Sequence, residues 1–480
     1  MLEISQSDVL KSLKRDNPWW DAIYAVPDGS NEKYRSYFGP FCELSLDWSI
    51  NRSTILMGPR RVGKTVMLRQ MIEEALRNGF DGTRILFVSI DTPLYSGMPL
   101  DRLIALFEEV TGHSSDERRI IIFDEVQYLK DWEVHLKVLT DRHPKTRFIA
   151  SGSAAAALKL KSQESGAGRF TDFFLPPLTF AEFLAFRDVE DGLIEAREMQ
   201  GTMRYTTTDI EQLNVEFINY LNYGGYPEAV LNKTIQADVQ RFLGRDIIDK
   251  VLLRDLPSLY GIQDIQELNR LFTTLAYHTG QEISLDGLAQ SSGVAKNTIT
   301  KYLDYLEAAF LIVRVKRVDE TGKTFARMRN FKVYLTNPSM RTALFAPVVD
   351  GDEPMGALAE TAIFSQWFHS NHLMNNIHYA RWKKGRTDLE VDLVRVDAAR
   401  LKPSWAYEIK WSDRYAGDQP GELRGLIELA KKHADIPLPV GATTKTLTCE
   451  TEVDGVTVRH FPCALHCYQV GKNVAEGRAP

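Results

Sequence analysis

The sequence predicts a multidomain α/β protein that begins with a parallel sheet covered by helices on both faces. Helix and strand patterns alternate from residue 53 to residue 151, and the strand patterns there are continuous apolar runs, which is typical of parallel strands. A second group of strand patterns, preceded and followed by helical ones, occupies the chain after residue 350. The length of 480 residues gives a prior of about three domains.

Composition restricts the class of protein. With 44% apolar and 25% charged residues, the chain has the makeup of a globular protein with filled cores. The net charge of −6 excludes a uniformly basic nucleic-acid coat, so any contact with nucleic acid has to come from local patches. The start of the chain lacks a signal-peptide pattern, no apolar run is long enough to span a membrane, and four cysteines are too few for a disulfide scaffold. We therefore expect a cytoplasmic protein without a membrane partner.

A glycine-rich turn with a lysine and a threonine lies near the start of the chain. Residues 58–65 read GPRRVGKT and fit G-x-x-x-x-G-K-[ST] at every fixed position. The apolar run Thr54–Met57 before them predicts a strand, and Met67–Phe80 after them predicts a helix, which is the context that this motif requires. The sequence therefore predicts a P-loop, which binds the phosphates of ATP.

Each fixed position of this loop has a physical role. Gly58 and Gly63 let the backbone bend so that its N–H groups converge on phosphate oxygens at the positive end of the following helix. Lys64 is expected to reach the β- and γ-phosphates, and the Thr65 hydroxyl is expected to bind Mg²⁺. We expect the whole loop to contribute to the nucleotide site, through Gly58, Pro59, Arg60, Arg61, Val62, Gly63, Lys64, Thr65 and Val66.

Two acidic residues end a later buried strand. Residues 119–125 read RIIIFDE, so Asp124 and Glu125 lie at the carboxyl edge of the predicted sheet, where the P-loop also lies. Asp124 is expected to hold Mg²⁺ through its water shell, and Glu125 is expected to orient or deprotonate the attacking water. The other elements predicted around them are the strand Arg84–Asp91 and the helices Leu100–Thr111 and Trp132–Arg142.

Further polar residues are candidates for contact with the γ-phosphate. The strand Arg147–Ser151 runs into the sequence SGS, which predicts Ser151 or Ser153 beside Asp124 if the two strands are neighbours. Arg169 follows a glycine-containing stretch, and there it could stabilise charge on the transferred phosphoryl group, within one chain or across a subunit contact. An ordinary surface or salt-bridging arginine is the alternative interpretation of Arg169.

The order of these motifs carries a family resemblance. The runs GPRRVGKT, IIIFDEVQYLKDW, FIASGSAAA, AGRFTDFFLPPLTFAEFLAF and YGGYPEAV resemble prokaryotic AAA-type ATPases related to the archaeal and STAND group, those with a C-terminal domain of unknown function. The resemblance covers about residues 30–470. It implies that Gly225, Tyr226 and Pro227 lie close to the adenine and report nucleotide state to a helical lid. The residues alone show a turn between two helical stretches, and a plain helix breaker stays open.

The middle of the chain contains a polar segment, a helical segment and a helix-turn-helix pattern. Residues 187–212 are acidic and poor in apolar residues, which predicts a linker or surface insertion, and residues 206–278 predict a helical lid and connector. Residues 283–318 predict a winged helix-turn-helix with helices Leu285–Gln290 and Lys296–Ala308 followed by a basic strand. In a DNA-binding version, the second helix presents Lys296, Asn297, Thr298 and Lys301 to the major groove.

The charge of this module favours contact with DNA. Residues 283–332 carry nine Lys and Arg against five Asp and Glu, within an acidic chain. In the resembled family the module often serves as an internal relay or assembly element, and this alternative stays open.

The C-terminal region contains a second set of reactive groups. Glu360 lies on a predicted amphipathic helix, and Asp392 lies on a strand after the basic hairpin Arg381–Arg386. Glu408 and Lys410 are two residues apart on a further strand and therefore share a face. Glu360, Asp392 and Glu408 could coordinate Mg²⁺ or Mn²⁺, while Lys410 positions water or stabilises charge on a phosphate.

This arrangement is similar to the PD-(D/E)XK core of restriction-endonuclease-like proteins, with a helical Glu, a strand Asp, a strand Glu-x-Lys and a following helix at Leu423–His433. The sequence departs from the pattern at Val391, where the motif has proline. The resemblance implies metal-dependent cleavage of nucleic acid. A nuclease-like fold that serves as a binding scaffold without cutting is the alternative.

The sequence predicts five segments: an N-terminal segment (1–50), an AAA-type ATPase core (51–205), a helical lid and connector (206–278), a winged helix-turn-helix (279–345) and a nuclease-like domain (350–480). The first hypothesis is a protein that binds and hydrolyses ATP and couples nucleotide state to a metal-dependent nuclease-like domain acting on DNA. The second is a STAND-like switch ATPase whose C-terminal domain binds a protein or nucleic acid without cutting, and the third is a transcription regulator. A homo-oligomer and a protein partner or trigger are left open.

Overall fold

The computed structural model describes residues 5–29, 32–95, 97–114, 116–152, 168–199, 202–324, 330–368, 374–416, 420–434 and 438–478. The chain divides into two compact units, Met1–Pro176 and Pro177–Pro480. Ser153, one of the two serines proposed for the γ-phosphate, lies outside the described residues.

The first unit is built on a five-stranded parallel sheet, which confirms the predicted fold of the N-terminal part. The strand order is β2-β3-β4-β1-β5, so the strand that leads into the P-loop lies inside the sheet. Nearly every residue of the first four strands is buried, as the continuous apolar runs predict. The strands are β1 Ser53–Met57, β2 Ile85–Ser89, β3 Arg119–Asp124, β4 Thr146–Gly152 and β5 Phe170–Phe174.

Three helices of the first unit correspond to predicted ones. The predicted helices at 100–111 and 132–142 have the same bounds in the structure, and the helix after the P-loop starts earlier than predicted, at Lys64. The helices are α1 Gln6–Asp16, α2 Phe38–Ser45, α3 Lys64–Arg77, α4 Leu100–Thr111 and α5 Trp132–Arg142, with 3₁₀ turns at Pro18–Trp20, Gly82–Arg84 and Val126–Tyr128.

The second unit starts with helices and a small hairpin. The segment predicted to be a linker or surface insertion contains a two-stranded antiparallel sheet, β6 Ile194–Met199 and β7 Thr202–Thr207. Its strands are rich in charged and polar residues, which indicate an exposed segment by composition, while the cross-strand pairing that orders them is not visible in composition. The helices of this part are α6 Phe180–Phe186, α7 Glu190–Leu193, α8 Ile210–Tyr223, α9 Pro227–Leu231, α10 Lys233–Ala237 and α11 Val239–Arg241.

The chain then continues through helical turns into the main sheet of the second unit. The π-helical stretches Phe242–Asp249 and Val251–Asp255 lead into α12 Leu256–Tyr260. The later helices are α13 Ile265–Tyr277, α14 Leu285–Ser292, α15 Lys296–Ala308, α16 Ser339–Leu344, α17 Met355–Trp367, α18 Arg424–Lys432 and α19 Cys463–Ala475, with 3₁₀ turns at Asp413–Ala416 and Pro420–Leu423.

One mixed sheet of nine strands organises the second unit. Its order is β15-β16-β14-β13-β12-β11-β9-β10-β8, and β9 pairs with β11 in parallel. The sheet therefore runs across the boundary predicted between the helix-turn-helix and the C-terminal segment. The strands are β8 Glu282–Ser284, β9 Ile312–Val318, β10 Asn330–Leu335, β11 Ile377–Lys384, β12 Thr387–Val396, β13 Pro403–Glu408, β14 Val440–Thr444, β15 Cys449–Val453 and β16 Val456–Pro462.

Helix α17, which carries Glu360, is buried over most of its surface. Ten of its thirteen residues are buried, and it shares one apolar core with α6, α8 and α19, whereas α18 shares a separate core with β12. The prediction of an amphipathic helix was therefore wrong. Apolar residues surround the helix because it is enclosed by other elements rather than lying at a surface.

A largely enclosed histidine in the same region predicts acid sensitivity of the fold. The His466 ring stacks on Tyr407 with a centroid distance of 4.9 Å, and burial lowers the pKa of His466 to about 4. The unfolded chain takes up this proton near its usual pKa of about 6.5, so the stability is complete above that pH and falls as pH drops towards 4, by roughly 2–3 kcal/mol.

We expect His466→Phe to flatten this dependence. The measurement is the midpoint of thermal unfolding at pH values between 4.5 and 8 for both proteins. An equal loss of stability in the variant across this range would assign the acid sensitivity to other groups.

Candidate nucleotide site and buried acidic cluster

The P-loop adopts a strongly bent backbone. Gly63, which precedes α3, has φ 98°, and Arg61 has φ 63°, so two residues of the loop are left-handed. A Cβ atom on Gly58 would lie 2.1 Å from the backbone oxygen of Leu175. The first glycine is therefore required for the close passage of two backbone segments, and the second for the turn into the helix.

Lys64 is held at the loop by backbone carbonyls. Its Nζ donates to the oxygens of Gly58 at 3.1 Å and Pro59 at 2.8 Å, and the residue is only 4% exposed. Val62 is fully buried below the loop, whereas Val66 is 57% exposed on α3. The ammonium thus lies within the concavity that the motif predicts for phosphate.

Thr65, Asp124 and Ser151 form one hydrogen-bonded group. The Thr65 hydroxyl donates to Asp124 Oδ2 at 2.7 Å, and the Ser151 hydroxyl donates to Asp124 Oδ1. Burial raises the pKa of Asp124, and the hydroxyl bonds and Lys64 oppose that rise. A hydroxyl and a buried carboxylate that share a hydrogen bond are the donor set through which P-loop proteins hold Mg²⁺, so these residues fit that ion.

Glu125 follows Asp124 in an uncommon backbone conformation. Its φ is 56°, in the left-handed region, and its N–H donates to Ser151 Oγ at 3.3 Å. Its carboxylate accepts a hydrogen bond from the Gln127 side chain. Left-handed non-glycine residues cluster at functional sites, where neighbouring contacts hold them in place. The structure therefore brings Glu125 to the edge of the sheet where the sequence predicts the water-activating residue.

Two arginines secure the loop, and only one was expected. Arg60 donates to the Tyr128 hydroxyl at 3.1 Å. Arg35, which is 5% exposed, donates to the oxygens of Val62 at 2.8 Å and Pro176 at 2.9 Å. Arg35 was missed because it lies in an irregular segment before the first strand, where no motif marks it.

Arg169 does not lie at the P-loop of its own unit. It precedes β5 at the end where Ser53 begins β1, since Ser53 N–H donates to the Arg169 oxygen at 2.8 Å. The P-loop follows the opposite end of β1. The Arg169 side chain pairs with Asp141 at 3.0 Å. A role within one chain is therefore not supported by this position, and a role across a subunit contact stays a prediction.

We expect Gly58→Ala to weaken ATP binding. The added methyl group would meet the Leu175 oxygen, and relief of such an overlap costs about 1–3 kcal/mol. The affinity for a fluorescent ATP analogue should fall roughly tenfold or more. Gly39→Ala is the matched control, because a Cβ there meets no atom within 4 Å. Equal affinity of both variants would show that the loop accommodates the methyl group.

The predicted Gly-Tyr-Pro element lies in the second unit. Pro227 begins α9, the Gly225 oxygen accepts from Leu178 N–H at 2.9 Å, and Tyr226 is fully buried. Tyr220 donates to the Leu178 oxygen at 2.9 Å and accepts from Gln366 at 3.0 Å. The element is thus bonded to the first residues of the second unit, and its predicted proximity to adenine stays a prediction.

The four predicted residues of the C-terminal site come together. Lys410 Nζ donates to Glu408 Oε1 at 2.8 Å and lies 3.8 Å from Asp392 Oδ2. The same Asp392 oxygen accepts from the backbone N–H of Ile409 at 3.0 Å. Asp392 is 7% and Glu408 5% exposed. Residues far apart in sequence therefore form one buried cluster, which Glu360 joins through a further lysine.

That lysine, Lys332 of β10, was missed by the sequence reasoning. Its Nζ lies 2.9 Å from Glu360 Oε1, 2.9 Å from Glu390 Oε1 and 3.2 Å from Asp392 Oδ1. Tyr334, two residues later, donates to the same Glu360 oxygen at 2.5 Å. Lys332 lies in the run NFKVYL, which reads as an ordinary strand, so no signal in the sequence connects it to the acids.

Burial and the two lysines set the protonation of the cluster. Burial raises the pKa of Glu360 to about 7 and that of Glu408 to about 8. Burial also acts to raise the pKa of Asp392, but Lys332 and Lys410 hold it below its usual value. Asp392 is therefore the charged centre of the cluster, between two ammonium groups.

The chemistry of the acids suits a divalent cation, but their present arrangement does not. Carboxylate oxygens are the ligands that Mg²⁺ prefers, and Glu408 Oε2 is buried without a hydrogen-bond partner among the described residues. However, in the described ranges no group of three or more His, Cys, Asp or Glu side chains is arranged to hold a metal ion. The position between Glu360 and Asp392 is taken by the Lys332 ammonium.

The candidate DNA-contacting residues lie at the start of α15. Lys296, Asn297 and Lys301 are exposed, and Thr298 is partly exposed. The Lys296 ammonium contacts the Asp286 carboxylate of α14. The surface is therefore accessible, with one of its cations already paired.

Comparison with known families defines the class of the first unit. Residues 51–184 match the family described as an AAA domain. The part of the chain that carries the P-loop is therefore similar to AAA-type ATPase domains, which supports an ATPase-like function. Residues 214–348 match a second family, described as a domain of unknown function (DUF8612).

Individual proteins resemble larger parts of the chain. An uncharacterized protein of Haemophilus influenzae is 25% identical over 292 residues, which is 60% of this chain and 68% of the relative. The uncharacterized protein MJ1544 of Methanocaldococcus jannaschii is 22% identical over 344 residues, which is 70% of this chain and 71% of the relative. Neither relative supplies an activity.

Solved structures show partial similarity. The Walker-type ATPase paby2304 of Pyrococcus abyssi has a TM-score of 0.42 and 15% identity, and the match covers 68% of this chain and 99% of that one. The replication initiator DnaA, bound to AMPPCP and single-stranded DNA, has a TM-score of 0.29 and 12% identity, covering 60% of this chain and 93% of that one. Structural similarity at these TM-scores does not indicate a function.

Among the described residues, no helix has the length and apolar character needed to cross a membrane.

Proposed function

We propose that this protein binds and hydrolyses ATP and couples its nucleotide state to a metal-dependent nuclease-like domain that acts on DNA. The observation that carries the first half is the hydrogen-bonded group of Thr65, Asp124 and Ser151 beside the P-loop lysine. This group supplies a Mg²⁺ position and a phosphate position at one sheet edge. Glu125, at the same edge, is the residue proposed to orient the attacking water.

The observation that supports the second half is the convergence of Glu360, Asp392, Glu408 and Lys410. The elements that carry them follow the order α17, β11, β12, β13, α18 and β14, with β11 to β13 antiparallel and β14 parallel to β13. This is the order expected of the PD-(D/E)XK core. A divalent ion bound by these acids would stabilise negative charge on a phosphodiester, and Lys410 would hold the attacking water or the phosphate.

Two surfaces support DNA as the substrate. The hairpin of β11 and β12 carries Lys383, Lys384 and Arg386 at its exposed tip. The start of α15 carries the exposed residues expected of a recognition helix in a winged helix-turn-helix, and α14 and β9 flank it in the expected order. An internal relay role of this module remains the alternative.

The second candidate function is a switch ATPase whose C-terminal domain binds a protein or nucleic acid without cutting it. The observation that favours it is the Lys332 ammonium between Glu360 and Asp392, because an ion-paired cluster is stable without a metal. A third candidate, a transcription regulator that uses α15, has less support, because the buried reactive groups lie elsewhere.

A cleavage assay on the full chain separates these candidates. Supercoiled, linear and single-stranded DNA are incubated with the protein in Mg²⁺ or Mn²⁺, with and without ATP. We expect cutting by the wild-type protein and its loss in Lys410→Ala. Lys402→Ala, at an exposed lysine that precedes β13, is the control and should cut normally.

Three results are informative against the proposal. Equal cutting by Lys410→Ala would show that the activity does not belong to the cluster. Absence of cutting in every condition, with DNA retained in a gel-shift assay, would favour the scaffold. Absence of both cutting and DNA binding would leave a protein partner as the ligand of the second unit.

A further inference from the structure

Lys332 is an unusual lysine because nearly its whole side chain is buried. Its side chain is 3% exposed, and its ammonium meets three carboxylates at once, those of Glu360, Glu390 and Asp392. An ammonium has three N–H donors, so each of them has an acceptor. The ammonium also lies 5.5 Å from the centre of the Tyr379 ring. The cation in the acid cluster therefore comes from β10, whereas the acids lie on other elements.

The atoms bound by Lys332 are those that a metal would need. Glu360 Oε1 and Asp392 Oδ1 each accept from Nζ, at 2.9 Å and 3.2 Å. A Mg²⁺ ion requires carboxylate oxygens at about 2.0–2.1 Å with near-octahedral geometry. The same two oxygens cannot hold the ammonium and also close around a metal, so the two cations exclude each other.

We propose that Lys332 is a built-in competitor of the divalent cation, which keeps the acid cluster closed until its side chain is withdrawn. This inference rests on the proposed function in so far as the cluster is a metal site. The exchange retains a cation in the cluster, since an ammonium leaves and a metal ion enters. Glu408 Oε2, which is buried and without a partner among the described residues, would be available as an additional ligand for the metal ion.

Lys332 belongs to the segment 279–345 that the sequence predicts to be a winged helix-turn-helix. Lys332 pairs with Glu282 of the three-residue edge strand β8 and with Val315 of β9. Both strands flank α14 and α15 in sequence, whereas the acids lie on α17, β12 and β13. Withdrawal of the ammonium from Glu360 therefore depends on the position of β10 relative to α17.

The test measures binding of Mn²⁺ alone to the full chain by electron paramagnetic resonance and calorimetry. Lys332→Met keeps the length of the side chain and removes its charge. We expect it to bind Mn²⁺ roughly 10- to 100-fold more tightly than the wild-type protein, the range by which groups around a metal site change affinity. The double variant with Asp392→Asn should lose the gain. Lys316→Met, at an exposed lysine of β9, is the control and should bind like the wild type.

Two outcomes overturn the inference. One is a folded Lys332→Met protein, judged by circular dichroism, that binds Mn²⁺ no more tightly than the wild type, because Lys332 would then be a purely structural counter-ion. The other is a double variant that keeps the gain in affinity, because the Mn²⁺ ion would then bind without Asp392.

A second measurement uses only the wild-type protein and decides the case if Lys332→Met fails to fold. Lysines are labelled with an amine-reactive reagent in increasing Mn²⁺, and labelled sites are found by mass spectrometry. We expect labelling of Lys332 to rise with Mn²⁺ while labelling of Lys316 stays constant. Constant labelling of Lys332 at Mn²⁺ concentrations that saturate binding would contradict the inference. If Lys332→Met binds Mn²⁺ but cuts no DNA, the inference stands and the cleavage proposal fails.

Discussion

Replacement of Lys64 by alanine is expected to abolish ATP turnover. Lys64 is the buried cation of the P-loop, held by the Gly58 and Pro59 carbonyls within the concavity proposed for phosphate. Removal of one charged group that stabilises a transferred phosphoryl group costs roughly 100- to 1000-fold in rate. Because Lys64 would contact the ground state as well, nucleotide affinity should fall together with turnover.

Phosphate release and binding of a fluorescent ATP analogue measure the two effects. Lys14→Ala, at an exposed lysine of α1, is the matched control and should hydrolyse ATP at the wild-type rate. A Lys64→Ala protein that retains turnover within a few-fold of the control would exclude this loop as the nucleotide site.

The second large effect is expected from Asp392→Asn. The substitution keeps the shape of the side chain and removes the charge that lies between Lys332 and Lys410. Breaking a buried ion pair leaves uncompensated charge and costs about 3–5 kcal/mol. The variant should therefore unfold at a lower temperature, and any cutting of DNA should be lost with the metal ligand.

Asp388→Asn on the same strand provides the comparison. Asp388 pairs with Arg381 at 2.9 Å, but its side chain is 48% exposed, so its loss should leave the stability almost unchanged. The midpoints of thermal unfolding of the two variants give the difference. Equal midpoints would mean that Asp392 is not the charged centre of the cluster.

Local motifs carried the prediction of the first unit. The P-loop and the strand that ends in Asp124 are contiguous in sequence, and the continuous apolar runs gave strand bounds within about two residues of those observed. Ser151 was placed correctly beside Asp124 because β3 and β4 are neighbours, as the prediction required. Arg35 was not predicted, because it donates hydrogen bonds to two backbone carbonyls and such contacts have no sequence pattern.

The second unit was less accessible because long-range pairing organises it. Strands β9 and β11 pair in parallel through only two pairs of residues, Tyr379 with Arg317 and Ala380 with Val318. No pattern in the neighbouring sequence indicates that one sheet continues there. Lys332 meets the acids only through this sheet. The sequence reasoning therefore found the acids and Lys410 by their spacing, but it could not find the cation that neutralises them.

We propose that the nucleotide state of the first unit controls the chemistry of the acid cluster. The most direct measurement is the rate of DNA cutting in Mn²⁺ with and without ATP, for the wild-type protein, Lys64→Ala and Glu125→Gln, the last designed to bind ATP without hydrolysing it. The account predicts a change of roughly 5- to 150-fold on addition of ATP to the wild-type protein and no change for Lys64→Ala. A wild-type rate that is the same with and without ATP, or a Lys64→Ala protein that responds equally, would contradict the claim.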